Sequence, residues 1–244
     1  MTPLTNHPEK VGNLDKPDEY SALNAFGTRK GTPIFITGIG TEIGKTVVSS
    51  IIVEALGADY WKPIQAGIEE ASDNEKVKNL TSNPSISFHN EVYKLKLPAS
   101  PHIAARQEDE RIDLDKINTA YKKIASNCLI IEGAGGLMVP LNDQEFIIDL
   151  IELLRAKVIL VSRNYLGSIN HSLITASLCR QRKLDVVGWV FNDQYLHYEE
   201  EIAGWSGYPK IASIPLATNV NKQFVSGQAQ LIKPHLLQYL YDKS

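Results

Sequence analysis

Residues 33–46 read PIFITGIGTEIGKT, and this stretch decides the fold. Its first five residues predict a short buried strand, and a helix is predicted to run from Gly44 to about Leu56. Between them lies a glycine-rich turn that carries Gly-Lys-Thr, which is the sequence context of a P-loop. Backbone N–H groups at such a turn and helix start converge on phosphate. The common pattern has four residues between its two outer glycines, whereas five separate Gly38 from Gly44.

The residues of this turn are the first candidates for a nucleotide site. Lys45 is predicted to neutralise the β/γ phosphate oxygens of ATP, and the Thr46 hydroxyl to ligate Mg²⁺. Glu42 is unusual there, because a carboxylate repels phosphate unless it faces a cationic substrate or the metal. A solvated Glu42 side chain is an equally open interpretation. The remaining predicted contacts of the turn are Thr41, Ile43, Gly44 and Val47.

Alternating strand and helix patterns extend over the rest of the chain. Near-continuous apolar runs at 60–62, 128–131, 158–161 and 186–191 are typical of parallel strands buried on both faces. Helical patterns fill the gaps, at about 113–126, 145–155, 168–183 and 228–241. The sequence therefore predicts a single α/β domain over residues 31–244, a doubly wound, mostly parallel sheet with helices on both faces. Residues 1–30 lack periodicity and are predicted to be a partly disordered extension.

Composition narrows the classes of function. The net charge is −3 with no basic stripe, which argues against nucleic acid as the main partner. No apolar run approaches the ~20 residues needed to cross a bilayer. The two cysteines, Cys128 and Cys179, lie in apolar segments without metal-ligand spacing and are interpreted as reduced thiols. A cytoplasmic protein is expected.

Further polar residues follow the predicted strands, where ligands bind in this class of sheet. Lys62 ends the second strand and is either a site residue or a solvated edge charge. Glu132 is delivered by a strand and followed by Gly133, Ala134 and Gly135, which suits the acid that organises Mg²⁺. Asn192 and Asp193 could read a purine or form an ordinary turn. The predicted helix start at 167–170 is a second anion site.

Seven motifs together resemble the dethiobiotin synthetase family. They span about residues 33–217 in one order: the loop at 38–46, WKPI at 61–64, SD at 72–73, SPHIA at 100–104, EGAGG at 132–136, LGSINH at 166–171 and GWVFND at 188–193. The resemblance implies a homodimeric ligase that joins CO₂ to 7,8-diaminopelargonate and closes the ureido ring of dethiobiotin. ATP becomes ADP and phosphate, and Mg²⁺ is required. The extra loop residue is a variant that the family shares.

The resemblance also implies a role for each matching residue. Lys45, Thr41 and Lys62 would carry the chemistry, with Lys62 stabilising a carbamate and the transferring phosphoryl group. Thr46, Asp73 and Glu132 would ligate Mg²⁺. The base would be held by Asn192, Asp193, Pro215, Leu216 and Ala217. The substrate would contact Glu42 and Ala66 in one subunit and Gly167, Ser168, Ile169 and Asn170 of the other. The family usually has a hydroxyl residue at Ala66, so that contact is expected to be lost or replaced, for example by Gln65.

Two other classes share this fold. A partitioning or switch ATPase typically carries another lysine early in the loop, which is absent between Gly38 and Glu42. A corrinoid amide ligase usually continues into a glutaminase domain, for which this chain has no room. A pure binding module is disfavoured because metal-binding acids and a phosphate loop together imply turnover.

Overall fold

The computed structural model describes residues 31–67, 71–193 and 195–241, so the predicted extension at 1–30 lies outside the described residues. It contains nine strands: β1 Ile34–Gly38, β2 Asp59–Trp61, β3 Ile64–Ala66, β4 Phe88–His89, β5 Tyr93–Leu95, β6 Leu129–Gly136, β7 Lys157–Arg163, β8 Val186–Asn192 and β9 Lys210–Ile214. The described helices are α1 Lys45–Leu56, α2 Asp73–Leu80, α3 Pro101–Gln107, α4 Leu114–Lys123, α5 Ile147–Leu153, α6 Ser168–Gln181, α7 Glu199–Ser206 and α8 Lys222–Tyr241.

Seven strands form one sheet in the order β4-β2-β6-β1-β7-β8-β9, and every pairing is parallel. β1 lies at the centre between β6 and β7. β3 and β5 pair separately, also in parallel. Because all strands point the same way, their carboxyl ends meet at one edge of the sheet, where ligands of this fold class bind.

Alternate side chains of β1 enter two different cores. Ile34 and Ile36 pack in a cluster with residues of α1, α2 and α8, such as Val48 and Leu236. Phe35 packs in the other cluster, which includes residues of α3 to α7. Both faces of the sheet are therefore covered by helices, and this explains why its strands read as continuous apolar runs. The predicted fold class is confirmed.

Several elements differ from the sequence prediction. The prediction missed α2, α3 and α7 and the short strands β3, β4, β5 and β9. α8 begins at residue 222 rather than 228. β6 does not stop at its apolar run but continues through the glycines to Gly136, so Glu132 lies within the strand. β6 is longer than predicted because Gly38 of β1 pairs with Gly136, so that backbone pairing continues beyond Glu132.

Candidate nucleotide and metal site

The P-loop connects β1 to α1, as the sequence predicts. Gly44 caps α1 in the left-handed conformation, with φ 88°. The Lys45 side chain curls back over the loop, and its Nζ donates to the Gly40 carbonyl at 2.6 Å. On the outer side, Asn192 Nδ2 at the end of β8 donates to the Ile43 carbonyl at 3.1 Å. The loop is thus tied to a second strand end.

Two glycines leave room for this arrangement. A Cβ at Gly44 would lie 1.8 Å from Asn192 Nδ2, and the positive φ also disfavours other residues. A Cβ at Gly136 would lie 2.9 Å from the Gly38 carbonyl oxygen. The close approach of β6 to the loop therefore depends on glycine in the EGAGG segment.

A buried carboxylate forms the centre of the site. Glu132 Oε1 accepts hydrogen bonds from Thr46 Oγ1 and from Lys62 Nζ, each at 3.0 Å. Its other oxygen, Oε2, accepts from the Tyr60 hydroxyl at 2.9 Å. Lys62 also pairs with Asp73. The structure thus brings together all four residues that the sequence proposed for metal and carbamate, from α1, α2, β6 and the residue that follows β2.

Asp73 reaches this point because it is the first residue of α2. Ser72 caps that helix: its hydroxyl accepts from the Glu75 amide at 3.3 Å, and the Glu75 carboxylate accepts from the Ser72 amide at 2.7 Å. Gln65 fixes the same turn, since its Oε1 accepts from the Asp73 amide at 3.2 Å while its Nε2 donates to Gly67. Both ends of the Gln65 amide thus hold this turn, and its replacing the hydroxyl lost at Ala66 stays a prediction.

Burial and ion pairing set the charge of the two lysines. Burial lowers the pKa of Lys45 to about 8, although Glu132 partly opposes this. Burial also disfavours the charged form of Lys62, but Glu132 and Asp73 outweigh it and raise the pKa of Lys62 above its usual value. Lys62 therefore keeps its proton at neutral pH. Burial, reinforced by Glu132, raises the pKa of Tyr60 well above its ordinary value, so the phenol remains a donor.

These groups open into a cleft of about 900 Å³. Its lining includes Thr41, Glu42, Gly44, Lys45, Thr46, Lys62, Ala66, Asp73, Glu132, Ala134 and Gly135, all of them predicted site residues or matched loop positions. Gln65, the predicted replacement for the hydroxyl at Ala66, also lines it. Lys76, Ser100 and Val139 line it as well and were not assigned a role from the sequence. Ser100 lies in the SPHIA motif, and its hydroxyl contacts His102 Nδ1 at 3.0 Å. The signal in the sequence that could have indicated Ser100 as a site residue was this motif, in which a polar residue lies in a loop.

The other predicted residues lie around the cleft rather than on its lining. Ile43 is buried, Val47 is half-buried on α1, and Gly133 lies within β6 against the Phe35 ring. The Asp193 amide donates to the Ile214 carbonyl at 3.0 Å, which sets Asn192 and Asp193 beside the 215–217 segment. Leu216 there is 74% exposed. The sequence therefore grouped these base-contact candidates correctly in space, while their role stays a prediction.

The proposed carboxylate clamp lies at the start of α6 and does not line the cleft of its own chain. Gly167 has φ 104°, Ser168 is buried, Ile169 is half-buried and Asn170 is exposed. The Ser168 hydroxyl contacts the Tyr198 hydroxyl at 2.7 Å, and the role of Ser168 toward a substrate stays a prediction. The neighbouring Leu166 is 97% exposed.

The donor set around Glu132 fits a small, hard cation. Two carboxylates and one hydroxyl supply oxygen ligands of the kind that Mg²⁺ prefers, and few enough to leave positions for water and phosphate. Within the described ranges, no cluster of three or more His, Cys, Asp or Glu side chains could hold a metal ion. No described helix is long and apolar enough to cross a membrane.

Comparison with solved structures supports the fold. A ParA family ATPase from Chlorobium tepidum TLS aligns with a TM-score of 0.51 and 12% identity, covering 87% of this chain and 98% of the other. The MinD cell division protein of Aquifex aeolicus aligns with a TM-score of 0.52 and 14% identity, covering 88% and 99%. At this identity the likeness concerns architecture alone. The fold and the loop define the class as P-loop nucleotide-binding proteins.

Sequence relatives give the particular family. The AAA domain family model matches residues 32–223. The ATP-dependent dethiobiotin synthetase of Christiangramia forsetii is 52% identical over 158 residues, 65% of this chain and 74% of that protein. The enzyme of the same name from Cytophaga hutchinsonii is 44% identical over 196 residues, 80% and 94%. The chain belongs to the dethiobiotin synthetase family.

Proposed function

We propose that this chain is a ligase that joins CO₂ to 7,8-diaminopelargonate and closes the ureido ring of dethiobiotin, with conversion of ATP to ADP and phosphate. One observation carries the proposal within the family: a phosphate loop, a buried protonated lysine and two carboxylates converge on one cleft. The domain proposed to carry this activity spans residues 31–244, and the family model matches residues 32–223 of it.

The proposed reaction requires stabilisation of negative charge and needs no nucleophile from the protein. A carbamate forms on one amine, its oxygen takes the γ-phosphoryl group, and the second amine displaces phosphate. Each step develops negative charge, which fixed cations stabilise in a buried site. Lys45 lies in the phosphate loop. Lys62 is held by Asp73 and Glu132 with its proton in place, so its role is that of a fixed cation and not of a general base.

Mg²⁺ would be held by Thr46, Asp73 and Glu132 and would neutralise the phosphate oxygens. Glu42 has a positive φ of 55° and an exposed side chain at the mouth of the cleft. It suits a contact with the ammonium groups of a diamine. For the base, Asn192, Asp193 and residues 215–217 stay the candidates.

The substrate carboxylate is assigned to residues 167–170 of a second subunit. A carboxylate at the far end of an aliphatic chain needs an anion site separate from the phosphate loop, and a helix start supplies one. The exposed apolar side chains beside it, Leu166 at 97% and Ile174 at 59%, favour coverage by another copy. The proposal therefore includes a homodimer in the cytoplasm, with no nucleic-acid partner.

The test is whether ADP release depends on both co-substrates. Purified protein with Mg-ATP should release ADP at an appreciable rate only with both 7,8-diaminopelargonate and bicarbonate, and mass spectrometry should detect dethiobiotin in equal amount. Lys45→Ala should lower turnover by roughly 10²-fold or more. ADP release that ignores the diamine would instead indicate a switch ATPase and overturn the proposal.

A further inference from the structure

The two oxygens of the Glu132 carboxylate have different surroundings. Oε1 receives Thr46 and Lys62, which line the cleft. Oε2 receives only the Tyr60 hydroxyl among the hydrogen bonds described, at 2.9 Å. Glu132 is 1% exposed and Tyr60 is fully buried, so water does not replace this bond. One oxygen of the carboxylate, Oε1, therefore contacts residues that line the cleft, and the other, Oε2, contacts the buried phenol.

The Tyr60 ring has little freedom to leave that oxygen. It packs in the apolar cluster shared with α1 and lies against Phe88, with ring centroids 6.3 Å apart. Tyr60 also belongs to β2, whose backbone is paired on both sides, to β4 and β6. Any rotation of the ring would move its hydroxyl among apolar side chains without a partner, which is costly. The bond to Oε2 is therefore the stable arrangement.

We infer that Tyr60 is a positioning residue that keeps Glu132 a one-oxygen metal ligand and so sets the preference of the site for Mg²⁺ over Ca²⁺. Mg²⁺ demands near-ideal octahedral geometry with one-oxygen carboxylate ligands, whereas Ca²⁺ accepts two-oxygen carboxylates and more ligands. Oε1 is the oxygen beside Thr46, so a metal held together with Thr46 meets Oε1, while the phenol holds Oε2. The inference rests on the metal site of the proposed function.

The experiment compares metal binding by wild type and Tyr60→Phe. Calorimetric titrations of Mg²⁺ and of Ca²⁺ into each protein, saturated with a non-hydrolysable ATP analogue, give both dissociation constants without any turnover. Loss of a partner behind a metal ligand typically lowers affinity by about 10- to 100-fold. Tyr60→Phe should lose affinity for Mg²⁺ in that range and lose much less for Ca²⁺, so that the Mg²⁺/Ca²⁺ preference falls by at least about tenfold.

A matched control separates this effect from a general loss of stability. Tyr93 is also a buried tyrosine, and its hydroxyl accepts from the Asp113 amide at 2.9 Å outside the site. Tyr93→Phe should keep the wild-type metal preference even if its melting temperature falls as far. A Tyr60→Phe preference within about twofold of wild type would overturn the inference, since loss of a hydrogen-bond partner behind a metal ligand usually lowers affinity by more than that.

The wild-type protein supplies a second measurement if Tyr60→Phe does not fold. A crystal structure of wild type with Ca²⁺ and a non-hydrolysable ATP analogue should show Glu132 ligating the ion through Oε1 alone, with Oε2 still accepting from the Tyr60 hydroxyl. Ligation of Ca²⁺ by both oxygens of Glu132 would overturn the inference. Failure of the proposed function is distinguishable, because wild-type protein would then form no dethiobiotin whatever the result of the titrations.

Discussion

At the residue scale, the two buried lysines of the site differ in the direction of their pKa shifts. Among the described residues no carboxylate contacts Lys45 directly, and its Nζ bonds to a carbonyl, so burial dominates and lowers its pKa to about 8. Lys62 touches two carboxylates and its pKa is raised. The first lysine is thus sensitive to mildly alkaline pH, and the second is not.

This contrast predicts how nucleotide affinity depends on pH. Above about pH 8, Lys45 of the free protein is neutral, and phosphate binding must be coupled to uptake of a proton. The affinity for a non-hydrolysable ATP analogue should therefore fall as pH rises from 8 to 9.5, by up to about tenfold per unit. Calorimetric titration at constant ionic strength measures it.

Lys45→Gln is the control for that measurement. It should bind more weakly at every pH but show a flat profile over this range. An equally steep decline in Lys45→Gln would mean that another group titrates and that Lys45 does not.

The sequence indicated the polar residues of the site, but not the residues that hydrogen-bond to them and hold them in place. Glu132 was recognisable because an acid follows an apolar run and precedes glycines, and Lys62 because it follows a strand. Tyr60 was not, because a tyrosine in a buried strand is indistinguishable from core and its partner is 72 residues away. Gln65 was noticed, but only the structure shows that its amide holds the turn before α2.

At the element scale, α2 determines where a metal-binding acid stands. Its capping box is readable in the sequence as Ser72 followed by Glu75 three residues later. The helix was still missed, because it is eight residues long and polar, and of these only Val77 is buried. A helix this short, with one buried residue, shows no hydrophobic periodicity in its sequence, whereas the long apolar strands are recognisable as continuous apolar runs.

Ser72→Ala should therefore affect stability and metal use together. Loss of the cap should lower the free energy of unfolding by about 1 kcal/mol, as N-cap removals typically do. Because Asp73 is the first residue of the helix, fraying should also raise the Mg²⁺ concentration needed for half-maximal activity. Urea denaturation and Mg²⁺ titration of turnover measure the two effects.

Asp113→Ala is the matched control, since the Asp113 side chain caps α4 by accepting from the Asp115 amide at 2.8 Å. It should cost similar stability and leave the Mg²⁺ requirement unchanged. If both variants shift that requirement equally, the cap of α2 has no special connection to the metal.

At the scale of the whole molecule, the proposed active site needs two chains. The cleft contains the phosphate loop but none of residues 167–170. A subunit carrying Lys45→Ala should lack phosphate chemistry yet still offer its partner the start of α6. Asn170→Trp should block that start, and it avoids Gly167, whose φ of 104° would strain any side chain.

Each variant alone should be nearly inactive, whereas mixed subunits should regain one competent site per heterodimer. Activity is measured after reversible dissociation and mixing, with heterodimers verified by native mass spectrometry. Heterodimers that stay as inactive as their parents would place the clamp within one chain.

The all-parallel sheet has a consequence for how the chain folds during synthesis. β1 carries the phosphate loop, yet its partner β6 lies almost a hundred residues further along, where Ile34 pairs with Ile130. Parallel neighbours cannot be joined by a tight hairpin, and closing such long connections slows folding. The loop therefore cannot reach its final shape on the ribosome until β6 and β7 have emerged. Until then the apolar side chains of β1 lack both neighbours and are open to aggregation, so refolding yield should fall steeply with protein concentration.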